Sequence, residues 1–165
     1  MATERGNSNF FLQAFLKTYP LSCTSAVLSS DELKTQRKRD HFCYIVNHDP
    51  SYKEGSHFST IIKKGNNLYY LDPLKLQTFD YAHIPLFLES FKECHYYELS
   101  APIQAANSTF CGLFSLFFCY AAENALADLP FKPFYKTKLL ENHCVVLHNL
   151  ALVLDYYDRT PMKKR

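Results

Sequence analysis

The sequence predicts a single α+β domain over residues 1–165, and three observations support this fold class. A length of 165 residues, 47% of them hydrophobic, is sufficient to bury one substantial core. Helical and strand-like patterns follow one another in the order helix, strands, helix, strand, helix, helix. Between residues 104 and 127 lies a helix-length run that is apolar on every side, which is typical of a helix surrounded by other elements.

The other elements are predicted from local patterns. Helical spacing of apolar side chains, or a polar run behind capping residues, predicts four further helices, over residues 9–19, 31–39, 84–94 and 137–157. Short apolar or aromatic runs predict four strands, over residues 42–47, 57–63, 68–72 and 95–100. The sequence KGNN between the second and third of these strands is a hairpin turn signal, so the two should pair directly.

The apolar central helix carries the first candidate for chemistry. Its stretch, QAANSTFCGLFSLFFCYAAENALA, begins as a polar loop with the capping residues Asn107, Ser108 and Thr109. Cys111 is expected about one turn inside the start of the helix, where unpaired N–H groups and the positive end of the helix dipole favour an anion. A thiol at that place has its thiolate stabilised, and the thiolate is the nucleophilic form. Cys111 is therefore a candidate catalytic nucleophile.

Composition limits the classes of function. A net charge of only +2 provides no strong whole-molecule field for nucleic acid. The start MATERGNSNF has neither the basic nor the apolar region of a secretory signal, and the central apolar run is too short for a membrane span. The six cysteines are scattered without CxxC or CxxH pairs, so neither a structural metal nor a disulfide framework is expected.

A nucleophilic cysteine needs a base, and hairpin geometry favours one histidine for that role. A turn centred on Gly65-Asn66 pairs Ser59 with Asp72, so that His57 becomes a diagonal neighbour of Asp72 on the same face. On this interpretation His57 is the general base and Asp72 orients it. The alternatives are an ordinary surface histidine at a strand start and an Asp that only ends a strand before proline. A turn of odd length would also separate the two side chains.

The remaining polar candidates are weaker. Gln104, on the loop before the central helix, could donate to an oxyanion together with the backbone N–H of Cys111, or could simply face solvent. Four histidines have no comparably placed acid: His41, His48, His83 and His95. Two others lie on a predicted helix and are interpreted as structural: His143 and His148.

Four segments match a known family. FCYIVN, GSHF, YYLDPL and QAANSTFCGLF occur in this order, and the last resembles the active-site segment of the adenovirus-type cysteine proteases (adenain), relatives of the Ulp/sentrin-specific proteases. The resemblance implies a papain-like fold with a mixed sheet packed on the central helix, which starts at the nucleophile. It also implies four roles: His57 as general base, Asp72 as orienting acid, Gln104 as oxyanion-hole donor and Cys111 as nucleophile.

The resemblance implies a cysteine-type endopeptidase that cleaves viral capsid or core precursors during virion maturation, at Gly-containing sites. Two positions depart from adenain: Asp72 stands where adenain has Glu and the Ulp enzymes have Asp, and Phe58 replaces a Trp. Asp72 therefore leaves open a Ulp-like protease that removes a ubiquitin-like modifier. A third alternative is an inactive, protease-like binding or capsid component.

The family also implies partners. Adenain is activated by a viral peptide, through a disulfide, and by DNA; Cys94 lies near the corresponding cysteine position. DNA contacts would fall on Lys34–Arg39 and Lys163–Arg165, although a charge run is also typical of a solvated surface. The chemistry itself requires no cofactor or metal. We expect a monomer that acts on protein substrates, binds no membrane, is not secreted, and is located in the virion and the infected host cell.

Overall fold

The computed structural model describes residues 9–123, 129 and 131–160. The basic tail Lys163–Arg165 and the end of the predicted central stretch after residue 123 lie outside the described residues. Within them the chain forms a mixed α+β structure around one five-stranded sheet, as the alternation of patterns predicted. None of the helices in the described ranges combines the length and the hydropathy needed to cross a membrane.

The sheet is mixed, with its strands in sequence order. The strands are β1 (Thr24–Ser29), β2 (His41–Asn47), β3 (Phe58–Lys64), β4 (Asn67–Leu71) and β5 (His95–Glu98). The three central strands β2, β3 and β4 are antiparallel neighbours, whereas β1 runs parallel to β2 and β5 runs parallel to β4. Both outer strands therefore need crossover connections, which the helices and loops supply.

In the part of the chain that the structure describes, four α-helices surround the sheet: α1 (Asn9–Thr18), α2 (His83–Glu89), α3 (Cys111–Ala121) and α4 (Glu141–Arg159). Strand alternation divides the core into two clusters. Cys43, Ile45 and Ile62 face the cluster that contains α1, α3 and α4. Phe42 and Tyr44 face the opposite cluster, with side chains from α2. Successive strand residues point to opposite faces, so β2 and β3 are covered on both sides.

Helix α3 is the most enclosed element. Nine of its eleven residues are buried, which agrees with the uniformly apolar sequence. The Thr60 hydroxyl donates to the carbonyl oxygen of Ser115 over 3.3 Å and so joins β3 to this helix. Burial of each large apolar side chain of α3 stabilises the fold by about 1.5–3 kcal/mol. The helix is thus a fixed support for the residue at its start.

The structure corrects three of the predicted elements and adds one strand. Strand β1 was not predicted; its small polar first half hides the pattern, and only its second half is buried. The polar helix over 31–39 is a shorter 3₁₀ helix, Ser30–Thr35, capped by Ser29. Helix α2 ends at Glu89 rather than at residue 94. Helix α3 begins at Cys111 itself, and the residues expected to form its first turn remain a loop.

Candidate active site

The β3–β4 hairpin sets the geometry of the site. Gly65 has φ +59°, the left-handed conformation that the turn requires, and Thr60 pairs with Leu71. This is the register that the turn centred on Gly65-Asn66 predicts. It brings His57, just before β3, beside Asp72, just after β4. The Nε2 atom of His57 lies 2.6 Å from Oδ1 of Asp72, and both side chains are buried.

The Cys111 thiol also lies close enough to His57 to influence the pKa of its imidazole. Because Nε2 faces Asp72, Nδ1 is the ring nitrogen that remains for the thiol. Burial by itself would lower the pKa of His57, but the hydrogen bonds and negative charges of Asp72 and Cys111 raise the pKa to about 9. The imidazole is therefore protonated near neutral pH, with an acceptor on each side.

The Asp72 carboxylate is fixed by the turn that follows β4. Burial acts to raise its pKa, but the hydrogen bond and charge of His57, with the backbone N–H of Leu76, hold the pKa below its ordinary value. Leu74 N–H donates to Oδ1 over 2.9 Å, and Leu76 N–H donates to Oδ2 over 3.1 Å. Asp72 thus stays ionised with both oxygens satisfied, and it presents Oδ1 to His57.

Cys111 occupies the first position of α3 and is buried. Its backbone N–H is among those that the helix leaves unpaired at its start. The loop before it is closed locally, because Ser108 Oγ accepts a hydrogen bond from Phe110 N–H at 3.1 Å. Cys111 thus stands at the positive end of the α3 dipole.

Gln104 is fully buried, so it is not the solvent-facing loop residue of the alternative interpretation. Its Nε2 donates to the carbonyl oxygen of Ser108 over 2.9 Å and lies 3.3 Å from Ser108 Oγ. The amide carries two N–H groups, so the carbonyl uses one and the second is shared with a weak hydroxyl partner. Its Oε1 is buried without a partner. The second N–H is the group that could reach an oxyanion.

Backbone contacts join this loop to the acid. The carbonyl oxygen of Pro73 accepts hydrogen bonds from the N–H groups of Ile103 and Gln104, at 2.9 and 3.0 Å. The residue after Asp72 and the amide-bearing loop therefore move as one unit. The structure thus brings together His57, Asp72 and Cys111 and fixes Gln104 to the same framework.

His48 is a member of this site that the sequence analysis passed over. Its ring meets the His57 ring edge to face with 4.7 Å between centroids, and its Nε2 lies 3.0 Å from Ser59 Oγ and 3.3 Å from the Tyr70 hydroxyl. Burial and the positive charge of His57 lower the pKa of His48 to about 4, so it is neutral. The missed signal is the antiparallel pairing of Asn47 with Phe58, which sets His48 opposite His57.

Other predicted positions make contacts of their own. Cys94 follows α2 as a half-buried free thiol, on a cavity of about 410 Å³ beside β5. The Lys34–Arg39 segment is mostly exposed, and Lys38 donates to the carbonyl oxygen of Ser90 over 2.9 Å. His143 lies on α4, where its ring stacks on Phe110 at 4.5 Å. The site does not draw on any of these groups.

Chemically, the arrangement can perform nucleophilic attack with proton transfer. A thiol, a hydrogen-bonded imidazole and a carboxylate that orients it are the components of a cysteine nucleophile with its base. One cluster in the described ranges could also hold a metal ion: His48, His57 and Asp72 each offer one ligand atom, and these atoms lie within 4.8 Å of one another. Sequence spacing could not reveal this cluster, because three separate segments contribute to it.

No protein-family model and no curated protein matches the sequence. Among solved structures, the chain is similar to AvrA delL154 with IP6 and CoA (TM-score 0.44, 19% identity, 88% of this chain and 53% of that chain). It is also similar to the central domain of Lpg1148 from Legionella pneumophila (0.44, 11%, 81% and 87%). A third is the SUMO protease Ulp1 with its catalytic cysteine oxidised to a sulfonic acid (0.41, 15%, 90% and 76%). The chain spans about half the length of the AvrA chain.

Proposed function

We propose that the protein is a cysteine endopeptidase in which Cys111 is the nucleophile, His57 the general base and acid, and Asp72 the orienting carboxylate. One observation carries the proposal: Nε2 of the buried His57 lies 2.6 Å from Oδ1 of Asp72, and the imidazole is close enough to Cys111 for that thiol to raise its pKa. A buried imidazole with these two partners can transfer a proton between the sulfur and a substrate atom.

In the resting state, Cys111 and His57 form a thiolate–imidazolium pair. The raised pKa of His57, about 9, keeps the imidazole protonated at neutral pH, and Asp72 stabilises the positive charge. The start of α3 stabilises the negative sulfur. The thiolate then attacks the scissile carbonyl carbon, and the carbonyl oxygen takes up the negative charge as the carbon–sulfur bond forms.

The oxyanion meets two donors in this scheme: the backbone N–H of Cys111 and an amide N–H of Gln104. His57 then protonates the departing amine, the peptide C–N bond breaks, and a thioester to Cys111 remains. His57, now neutral, takes a proton from water as the water attacks the thioester. The acid product leaves, and the thiolate–imidazolium pair is restored.

The substrate class rests on the resemblance of the Gln104–Cys111 segment to adenain. On that basis we propose cleavage of viral capsid or core precursor proteins at Gly-containing sites during maturation, in the virion and infected cell. Gly112, directly after Cys111, adds no side chain at the approach to the sulfur.

Cys94, partly exposed beside a cavity, is the proposed disulfide partner of an activating peptide, and Lys34–Arg39 and Lys163–Arg165 are the proposed DNA contacts.

The direct test is the Cys111→Ser variant, assayed on a Gly-Gly-containing peptide in the presence of EDTA. We expect kcat/KM to fall at least about 1,000-fold, because a serine hydroxyl is not ionised by this base. Cys144→Ser is the matched control, since Cys144 is an exposed thiol on α4. Its kcat/KM should equal that of the wild type. Equal turnover by Cys111→Ser would refute the mechanism.

A second candidate, a Ulp-like deconjugating protease, is favoured by one residue. Asp72, rather than Glu, stands at the acid position, as in the Ulp enzymes. A ubiquitin-like protein with a thiol-reactive C-terminus distinguishes the two substrate classes, because it labels a nucleophile only after its folded body has docked. Stoichiometric labelling of Cys111 would favour deconjugation, whereas cleavage of precursor peptides without labelling would favour the endopeptidase.

A further inference from the structure

The mechanism above leaves His48 without a chemical role, although the ring lies against the centre of the site. His48, His57 and Asp72 place one ligand atom each within 4.8 Å of one another. For His57 we assign this atom as Nε2, which lies 2.6 Å from the carboxylate of Asp72. Two imidazole nitrogens and one carboxylate oxygen are a ligand set that suits Zn²⁺ and related divalent transition metals.

Two of the three ligands, His48 and Asp72, are held by partners outside the set. Ser59 Oγ and the Tyr70 hydroxyl lie 3.0 and 3.3 Å from the Nε2 of His48. The N–H groups of Leu74 and Leu76 hold the two oxygens of Asp72. Such outer partners orient metal ligands and reduce the rearrangement that binding requires. Only small movements of the three side chains would then close the set around an ion.

A small cavity borders Asp72. A cavity of about 50 Å³ is lined in part by Tyr70, Asp72, Leu76, Glu98 and Leu99. A volume of about 10–15 Å³ is enough for one water molecule, so the cavity has room for a water molecule beside Asp72. Lys75 also borders the cavity, but its ammonium group is held 2.7 Å from the Leu99 carbonyl oxygen and 3.3 Å from Glu98.

We propose that His48, His57 and Asp72 form a zinc-class metal site that reversibly switches off the cysteine nucleophile. This inference rests on the proposed function for its effect on catalysis, but not for the binding itself. A neutral imidazole bound to the ion through Nε2 carries its proton on Nδ1. Binding displaces the Nε2 proton of the resting imidazolium to solvent. The remaining Nδ1–H is a poorer acid toward the leaving amine, Nδ1 has no free lone pair to take a proton from the attacking water, and Asp72 is withdrawn into the metal shell. The base is therefore lost while the fold is unchanged.

The test measures metal binding without turnover. In Cys111→Ser, which retains all three proposed ligands, Zn²⁺ binding is measured by calorimetry and Co²⁺ binding by absorbance. We expect one ion per chain and a cobalt spectrum without a thiolate-to-metal band in this variant. Adding His48→Gln should weaken the affinity at least tenfold, because even the loss of an outer partner costs 10- to 100-fold. His41→Gln, an exposed histidine at the far end of β2, is the matched control and should bind as its parent does.

Three results would overturn the proposal. The first is equal affinity with and without His48→Gln. The second is binding that disappears in Cys111→Ser, with a thiolate-to-cobalt band in the wild type, which would mean that the thiol and His57 alone hold the ion. Wild-type cleavage in EDTA without zinc binding would refute the metal site and leave the protease proposal standing. Zinc binding that depends on His48, in a chain that cleaves no peptide, would support the metal site and refute the protease proposal.

Discussion

Asn142 on α4 donates a hydrogen bond from Nδ2 to the carbonyl oxygen of Ile103 over 2.8 Å. The last helix is thereby connected to the loop that carries Gln104, the next residue in the chain. The same amide also bonds the N–H and the carbonyl of Tyr135, each at 2.7 Å. A second helical asparagine, Asn149, makes the equivalent pair of bonds with Lys132, at 2.9 and 3.1 Å, without an additional contact to the site.

This difference predicts that Asn142→Ala will lower both stability and activity. Both asparagines are fully buried, so either alanine variant leaves backbone groups unpaired and should cost about 2–4 kcal/mol of unfolding free energy. Only Asn142→Ala releases the carbonyl of Ile103 and loosens the Gln104 loop, so it should reduce kcat about tenfold. Chemical denaturation and peptide cleavage measure the two effects. A kcat for Asn149→Ala as low as that of Asn142→Ala would contradict this.

Gln104→Ala should reduce kcat by about 100- to 1,000-fold and leave KM nearly unchanged, because an oxyanion donor acts mainly in the transition state. Steady-state kinetics on a Gly-Gly-containing peptide measure the effect. Gln77→Ala, at an exposed glutamine in the turn region after β4, is the control and should behave as the wild type does. An increase in KM alone would indicate a substrate-binding role instead.

The pKa of His57, raised to about 9, predicts the alkaline limit of activity. The imidazolium is the acid that protonates the leaving amine, so kcat/KM should fall as the pH rises through about 9. Alkylation of Cys111 by iodoacetamide should persist above that pH, because the sulfur needs no acid to react. A decline of both rates with the same pH dependence would assign the limit to another group.

The same shift predicts a pH dependence of stability. The pKa of His57 is higher in the folded state than its ordinary value of 6.5, so its stabilisation is complete below pH 6.5 and is lost as the pH rises to about 9. A rise in the pKa of His57 from 6.5 to about 9 corresponds to about 3 kcal/mol of unfolding free energy. Asp72→Asn removes the charge that supports the imidazolium, so its unfolding free energy should depend less steeply on pH over this range. Parallel curves for the two proteins would contradict the expectation.

Gly55, two residues before His57, has φ +93°, and a Cβ there would lie 1.9 Å from Nδ2 of Asn47. Gly55→Ala should therefore displace the approach to His57, with a cost of about 2–4 kcal/mol in stability and a lower kcat. Gly65→Ala, at φ +59° with open space around the new methyl group, should cost about 1 kcal/mol and preserve kcat. Thermal denaturation and kinetics compare the two, and equal losses would contradict the steric argument.

The local sequence predicted most of the helices and strands, and it predicted that His57 lies beside Asp72. The KGNN turn fixes the pairing of β3 with β4, and this register brings His57 to Asp72. His48 could not be found in this way, because its position depends on the register of β2 against β3, which a long loop leaves unspecified in sequence. The partners of Gln104 and of Ile103 likewise depend on tertiary contacts that no local pattern encodes.

The two bonds accepted by the carbonyl of Pro73 have a consequence for how the chain can change in length. Residues 74–102, with α2 and β5, leave the site just after Asp72 and return to it just before Gln104. Insertions or replacements within residues 74–102 leave the Pro73 carbonyl oxygen hydrogen-bonded to the N–H groups of Ile103 and Gln104. Asp72 and Gln104 can thus keep their spacing when the intervening surface, with Cys94 and the cavity beside β5, is changed.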